Sequence, residues 1–293
     1  MEKQNFPLLF MFSIGVQLLA VFFYYSLAAA QVEAPPYEPF GNATAAQAGL
    51  NAASLVFPAF VSVLVLITLL KIFGLRIFTF LISILPLLIV VIINPLFISV
   101  AVGNYFPDVA DAVALASTAV LAAAVFYSTV RHVRWLSVAA TFLISAEVGA
   151  FFAYVLQPPT LFAVPLAFAI YDIYAVFAGP LKTLMSQLTR SNLPKVRNPN
   201  LRQVKRSLNL GVLAANIGGF MIGTGDLVFY SMTVAAAFAL AGLTGTVATI
   251  VALNAGVALT FYILVRYKRI LPGLPIPIFL GVLVLLALKY VFV

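Results

Sequence analysis

Two aspartates in apolar stretches are the residues of this sequence whose type and placement most clearly suggest chemistry. Asp172 stands between Ala169-Ile170-Tyr171 and Ile173-Tyr174-Ala175, and Asp226 follows the step Gly223-Thr224-Gly225. The whole chain of 293 residues carries only eight Asp and Glu. An ionised carboxylate in hydrocarbon costs several kcal/mol, so a carboxylate in such a place indicates a functional site.

Two carboxylates that face each other in a low-dielectric site cannot both ionise easily, so they hold one proton between them. One can then deprotonate a water that attacks a peptide carbonyl while the other protonates the departing nitrogen, as in aspartic proteases. Glycine at 223 and 225 favours this, because a missing Cβ lets another backbone approach. The same carboxylates would equally line a cation or proton pathway, with glycine only allowing tight helix packing. The residues and their spacing leave protease and transporter both open.

The composition is that of a protein embedded in a membrane. Hydrophobic residues make up 64% of the chain and charged residues 8%, against about 25% charged in soluble domains. The mean hydropathy is +1.14. At about 20 apolar residues per crossing, the chain has room for about nine helices and no large soluble domain. We therefore predict an all-α membrane protein with nine transmembrane helices in one bundle.

Charge and residue counts exclude several function classes. The formal net charge is +8, but the basic residues lie in short loops, where orientation in the membrane explains them, so we exclude nucleic acid as a partner. The chain has no Cys and one His, His132, which excludes disulfides, thiolate catalysis and metal sites built from Cys or several His. We predict neither a metal nor a cofactor.

Nine apolar spans can be placed along the sequence, and together they form a single membrane domain over residues 1–293. Spans one to six lie within 1–181, a basic cytoplasmic loop covers 182–206, and spans seven to nine lie within 207–293. The approximate span limits are 6–30, 50–73, 77–102, 109–130, 135–156 and 161–181, followed by the stretch with Asp226, 246–265 and 275–291.

The distribution of Lys and Arg orients these spans. Fourteen of the 16 basic residues fall in the loops after spans two, four, six and eight, and the alternate loops hold none. Cytoplasmic loops collect Lys and Arg, so we expect the N-terminus in the cytoplasm and the C-terminus outside. A missed or extra span would break this alternation, which supports the count of nine.

Depth decides whether the two aspartates can meet. At ~1.5 Å per residue, Asp172 lies about 15 Å from the cytoplasmic edge, whereas a helix that began directly after Arg206 would place Asp226 about 30 Å deep. The two levels match only if the seventh helix begins near Asn216. We therefore predict that residues 207–215 form an approach segment that does not span the membrane, and Gly211 with the Gly218-Gly219 pair favours such an irregular entry.

Three short motifs resemble those of one protease family. Tyr171-Asp172 on span six, Gly223-Thr224-Gly225-Asp226 on span seven and Leu271-Pro272-Gly273-Leu274-Pro275 before span nine resemble, in that order, the YD, GxGD and PAL motifs of the presenilin and signal peptide peptidase family of intramembrane aspartyl proteases. The residues after Asp226, through Ser231, also resemble the presenilin continuation. Order, spans and topology match, so the resemblance covers essentially the whole chain.

This resemblance implies an intramembrane aspartyl endopeptidase that hydrolyses peptide bonds of transmembrane helices, such as signal peptides or membrane-protein stubs. It implies that Asp172 and Asp226 are the catalytic pair. The residues expected to bind substrate or shape the site are Tyr171, Gly223, Thr224, Gly225, Pro272, Gly273 and Leu274. Transmembrane peptides and lipid are the expected partners.

The compact length resembles a microbial, archaeal-type presenilin homologue, for which the cytoplasmic membrane is the expected location. We expect activity without obligatory accessory subunits, and homo-oligomer formation is left open.

One position departs from the family pattern, because the central Ala of the PAL motif is Gly273 here. We expect its added backbone freedom to loosen the segment without abolishing activity. A pseudoenzyme that binds transmembrane helices without cutting them is a further alternative, beside the cation or proton-coupled channel or transporter.

A third carboxylate, Glu147, lies in the middle of span five. We expect it to be a buried group that is hydrogen-bonded to a neighbouring helix, rather than a proton relay or a substrate contact. Beside the first aspartate, Tyr174 is expected to be a core residue.

Overall fold

The computed structural model describes residues 5–131, 133–177, 179, 211–217, 220–267 and 271–292. The predicted basic loop, 182–206, and His132 lie outside these residues. The described part is mostly helical and contains one short two-stranded hairpin.

Seven α-helices and two strands form most of the regular structure of the described residues, and two short 3-10 helices lie at Pro107–Val109 and Gly211–Leu213. The helices are α1 Phe6–Ala29, α2 Ala45–Gly103, α3 Ala110–Arg131, α4 Arg134–Val155, α5 Thr160–Phe177, α6 Thr224–Tyr267 and α7 Pro275–Phe292; the strands are β1 Ala214–Ile217 and β2 Phe220–Gly223. By length and hydropathy, seven segments of this described part can cross a membrane, and α7 supplies a shorter apolar helix. The chain is therefore an integral, multi-pass membrane protein.

Helix α2 covers two of the predicted spans, and its first half runs parallel to α5. At the start of both, Asn51 Nδ2 donates to Thr160 Oγ1 at 2.9 Å. Further toward the carboxyl end of both helices, the ring of Phe60 on α2 contacts the ring of Tyr171 on α5, with ring centroids 6.2 Å apart. This half contains the apolar segment Ala45–Leu69.

The second half of α2, with the apolar segment Ile84–Gly103, runs parallel to α1 instead. Phe97 packs on Phe23, and Asn104 Nδ2 donates to the Ser26 carbonyl oxygen at 3.3 Å, both near the end of α1. Ring contacts make α1 parallel to α4, so the two helices end on the same side of the bundle, and Thr160, the partner of Asn51, follows the end of α4 by five residues. The two halves of α2 therefore run in opposite directions. A straight helix of 59 residues would be about 88 Å long, and its two ends could not lie on the same side of the bundle.

Helix α6 likewise consists of two antiparallel parts. Its backbone leaves helical geometry at Ala241 and Gly242, where Gly242 has φ 56°, a left-handed value that favours glycine. Before this break, the Phe238 ring meets Tyr24 near the end of α1. After it, the Phe261 ring meets Phe220 in β2, which lies at the start of α1. The break thus separates the predicted spans seven and eight.

Strands β1 and β2 pair antiparallel, with Ala214 opposite Gly223 and Ile217 opposite Phe220. The predicted helix start near Asn216 is therefore wrong, since α6 begins at Thr224. Two short runs joined in the sequence by a Gly-Gly pair are typical of a hairpin with a two-residue connection, and this pattern is the sequence signal for the hairpin. The helix begins eight residues later than predicted, so the hairpin, and not two turns of helix, leads the chain to Asp226.

The hairpin lies at the amino end of α1 and α4. The guanidinium of Arg134 donates to the Asn216 carbonyl oxygen from Nε at 3.0 Å and from Nη2 at 2.9 Å. Phe220 packs on Phe6, with ring centroids 4.6 Å apart. These contacts fix the point from which the chain enters α6.

Candidate active site

The first candidate residue, Asp172, lies on α5 five residues before that helix ends at Phe177. Its side chain is partly buried. Oxygen Oδ2 accepts a hydrogen bond from the backbone nitrogen of Leu274 at 3.1 Å, across a sequence separation of 102 residues. The segment before α7 therefore reaches α5 at the level of the carboxylate.

The second candidate residue, Asp226, lies in the first turn of α6 directly after β2. The positive end of the helix dipole lies there, which favours a negative group. A Cβ built on Gly223 would lie 3.3 Å from Asp226 Oδ2, so the last residue of β2 lies beside the carboxylate. The same carboxylate lies beside Gly273, the residue before the Leu274 nitrogen that donates to Asp172.

The peptide unit between Gly273 and Leu274 contacts both helices that carry the aspartates. Its N–H donates to Asp172, and its carbonyl oxygen accepts from Tyr230 Oη on α6 at 2.8 Å. A Cβ built on Gly273 would lie 2.4 Å from Asp226 Oδ2 and 3.0 Å from Asp226 Cγ. The structure thus brings Asp172, Asp226, Gly273 and Leu274 together around one stretch of backbone.

Two of the other predicted site residues lie beside the aspartates. The ring of Tyr171 packs edge-on against Phe60 and Phe168, and its hydroxyl oxygen is buried without a hydrogen-bond partner among the described residues. Pro272 is buried in the segment that carries the Gly273–Leu274 peptide unit. Both are therefore sequence neighbours of the group formed by Asp172, Asp226 and the Gly273–Leu274 peptide unit, but neither lines the cavity beside Asp226.

The remaining two predicted residues, in the turn that starts α6, face different surroundings. The hydroxyl of Thr224 donates to the Val212 carbonyl oxygen, which also accepts from Thr141 on α4 at 2.9 Å. Thr224 thus anchors the start of α6. A Cβ built on Gly225 would have no heavy atom within 4 Å, so the space beside it is open.

A cavity of about 100 Å³ adjoins Asp226. Its walls include Met221, Ile222, Asp226, Tyr230, Leu271 and Gly273. This volume is enough for a few water molecules. The protein therefore has room for water directly beside one of the two carboxylates.

Glu147 is fully buried on α4 and is hydrogen-bonded to a neighbouring helix, as predicted. Its Oε1 accepts from Asn94 Nδ2 on α2, and the Asn94 amide oxygen accepts from Thr118 on α3 at 2.9 Å. This network joins three helices.

The prediction that Tyr174 is a core residue is wrong. Its side chain is 50% exposed, because it lies on the side of α5 that faces away from the bundle interior.

Sequence reasoning did not identify Tyr230 or Gly149 as residues of the site or its support. Tyr230 lies four residues after Asp226, a spacing that places both on one helix face. A Cβ built on Gly149 of α4 would lie 2.0 Å from Ser231 Oγ on α6, so these two helices are in direct contact. Small residues at helix contacts are the usual signal for such packing.

Within the described residues, no three His, Cys, Asp or Glu side chains lie close enough together to bind a metal ion.

Comparison with known proteins connects this site with one family. Residues 188–293 match the family described as Presenilin, a region that includes Asp226, Gly273 and Leu274 but not Asp172. Over 126 residues the chain is 35% identical to Presenilin-B of Dictyostelium discoideum, covering 42% of this chain and 24% of that protein. The resemblance to the presenilin family is confirmed. The chain spans about a quarter of the length of this curated presenilin.

Solved structures extend the comparison to the fold of nearly the whole chain. A presenilin family intramembrane aspartate protease in space group C222 matches with a TM-score of 0.62 and 20% identity, over 96% of this chain and 97% of that chain. A structure of such a protease in space group P2 matches with a TM-score of 0.60 and 18% identity, over 96% of each chain. The helices that carry Asp172 and its surroundings therefore share the presenilin-type fold.

Proposed function

We propose that this chain is an intramembrane aspartyl endopeptidase that hydrolyses peptide bonds of transmembrane helices. The observation that carries the proposal is that the Leu274 N–H donates to Asp172 while Asp226 lies beside Gly273, the other residue of the same peptide unit. Two carboxylates in an apolar protein interior can divide the roles of acid and base between them. The presenilin resemblance of residues 188–293 supports the same activity.

In the proposed reaction, the ionised carboxylate of the pair takes a proton from a water molecule. The oxygen of that water forms a bond to the carbonyl carbon of the substrate. The protonated carboxyl group gives its proton to the peptide nitrogen as the C–N bond breaks. The cavity beside Asp226 has room for this water molecule. No metal or cofactor takes part in this scheme.

The substrate helix must unwind before it is cut, because a helical backbone keeps its carbonyl groups in internal hydrogen bonds. The unwound stretch then needs new partners, since unpaired backbone groups are costly in a membrane. Strand β2 ends directly at the turn with Asp226, and its residue Met221 is 53% exposed. We propose that the substrate adds to the hairpin as a strand and passes the open space beside Gly225.

We propose nine membrane crossings, with the N-terminus in the cytoplasm and the C-terminus outside, in one membrane domain over 1–293. The two antiparallel halves of α2 and the two parts of α6 support this count, together with the other five helices of the described residues. The bias of Lys and Arg toward alternate loops supports the orientation. Both aspartates then lie in the cytoplasmic half of the bundle.

Asparagine substitutions test the proposed pair, since they keep the size of each side chain and remove its carboxylate. We expect Asp172→Asn and Asp226→Asn each to lower cleavage of a single-span peptide by at least about 100-fold in liposomes. The matched control is Asp111→Asn, an exposed aspartate at the start of α3. Thermal unfolding shows whether each variant is folded. Full cleavage by a folded variant of either aspartate would refute the proposed pair.

The same liposomes separate the protease from the alternative of a channel or transporter. That alternative predicts cation or proton flux without any peptide, and it predicts that both asparagine variants abolish the flux. The protease predicts peptide cleavage by the parent protein and no flux that depends on these carboxylates.

A further inference from the structure

We propose that Tyr230 is a positioning residue whose hydroxyl orients the backbone that holds Asp172. The proposal rests on the proposed function. It concerns the peptide unit between Gly273 and Leu274, here called the peptide bridge. The bridge accepts a hydrogen bond from Tyr230 at its carbonyl oxygen and donates one to Asp172 from its N–H.

The two ends of the peptide bridge cannot turn independently. A peptide unit is planar and trans, so its C=O and N–H bonds point in opposite directions. When Tyr230 fixes the direction of the C=O bond, it also fixes the direction of the N–H bond toward Asp172. One tyrosine hydroxyl on α6 therefore sets the direction of a hydrogen bond received on α5.

The bridge needs such a restraint because one of its flanking residues is glycine. Gly273 has no Cβ to limit rotation of the backbone before Leu274. On the other side, the Leu274 carbonyl oxygen accepts from Ile278 N at 3.0 Å, which ties the next peptide unit to the first turn of α7. The orientation of the bridge itself is left to its own two hydrogen bonds.

Tyr230 is well placed for this role. It is 2% exposed, so its hydroxyl needs a partner inside the protein, and the bridge carbonyl supplies it. It follows Asp226 by one helical turn, and both side chains line the small cavity beside the bridge. Tyr230 thus links the helix that carries one aspartate to the backbone that contacts the other.

The test is Tyr230→Phe, which removes the hydroxyl and keeps the ring. The bridge then rotates more freely and Asp172 loses an oriented donor. We expect kcat for a transmembrane peptide to fall about tenfold while KM changes less than about twofold. We also expect faster amide hydrogen exchange over residues 271–274 and unchanged exchange in α1.

The matched control is Tyr154→Phe. Tyr154 Oη also donates to a backbone carbonyl oxygen, that of Val32, at 2.5 Å near the carboxyl end of α4. This variant loses the same kind of hydrogen bond far from the aspartates. It should show a similar loss of thermal stability but the parent kcat and the parent exchange rate over 271–274.

A kcat of Tyr230→Phe within twofold of the parent, or equal to that of Tyr154→Phe, would overturn the proposal. Where the phenylalanine variant does not fold, 4-aminophenylalanine at position 230 supplies an N–H donor at a similar reach. It must then restore folding, cleavage and slow exchange over 271–274, and failure to do so also overturns it. Cleavage by the asparagine variants of the aspartates would instead refute the proposed function, whatever the result at Tyr230.

Discussion

Replacing Gly273 by alanine gives this chain the residue that the PAL motif carries, yet the structure predicts that the change harms the site. A Cβ at this position would lie 2.4 Å from Asp226 Oδ2, and ordinary contact begins at 3.4 Å. The difference between these two distances is 1.0 Å. The Asp226 carboxylate must therefore withdraw by about 1 Å, or the backbone must move by the same amount.

The expected cost follows from this displacement. A misplacement of about 1 Å in a catalytic group lowers the rate by about 100-fold, which corresponds to ~2.7 kcal/mol in the activation free energy. The backbone itself should accept alanine, because Gly273 is not among the glycines with positive φ. Alanine also restricts the unfolded chain, which adds about 0.4–1 kcal/mol of stability where no strain arises. Activity should therefore fall without a comparable loss of stability.

The assay compares kcat/KM for a single-span peptide in liposomes with the midpoint of thermal unfolding. The control is Gly49→Ala, since a Cβ there would meet no heavy atom within 4 Å and Gly49 is exposed on α2. We expect the control to cleave like the parent and Gly273→Ala to cleave about 100-fold more slowly. Parental or higher activity of Gly273→Ala would refute the reasoning, because the carboxylate would then tolerate the added methyl group.

Two further predictions concern the support of the site. Asn94→Ala removes the donor to buried Glu147, so the free energy of unfolding should fall by about 1–3 kcal/mol in denaturant titration; an unchanged value would show that the carboxyl group finds another partner. Gly149→Ala places a Cβ 2.0 Å from Ser231 Oγ and 2.8 Å from a backbone oxygen of α6. It should lower the thermal midpoint by several degrees relative to Gly49→Ala, and equal midpoints would contradict direct packing of α4 on α6.

Much of the helical framework is readable from the sequence. The predicted limits 6–30 and 135–156 lie within one residue of α1 and α4, because long apolar runs flanked by polar or small residues can only be membrane helices here. The hairpin was not predicted, since runs of four residues are too short to show the period that separates strand from helix. Only the Gly-Gly pair between the two runs indicates it.

The contacts within the site are harder to predict from the local sequence than the helices are. Asp172 and Leu274 are 102 residues apart, and nothing in either segment alone shows that they meet. The motif resemblance predicts that both residues belong to one site. It predicts no contact for Tyr230, because the hydrogen bond from Tyr230 to Gly273 depends on how two distant segments of the chain pack. For Glu147 the need for a partner was predictable, since a buried carboxyl group requires one. The identity of that partner, Asn94, depends on helix packing.

The most direct measurement of the proposed mechanism is a cryo-electron microscopy structure of the protein with a transmembrane peptide whose scissile bond is replaced by a hydroxyl-bearing transition-state isostere. The proposed pair predicts that this hydroxyl lies about 2.5–3.0 Å from a carboxyl oxygen of Asp172 and from one of Asp226. A bound isostere whose hydroxyl contacts neither carboxylate, with the two too far apart to share one water, would contradict catalysis by this pair.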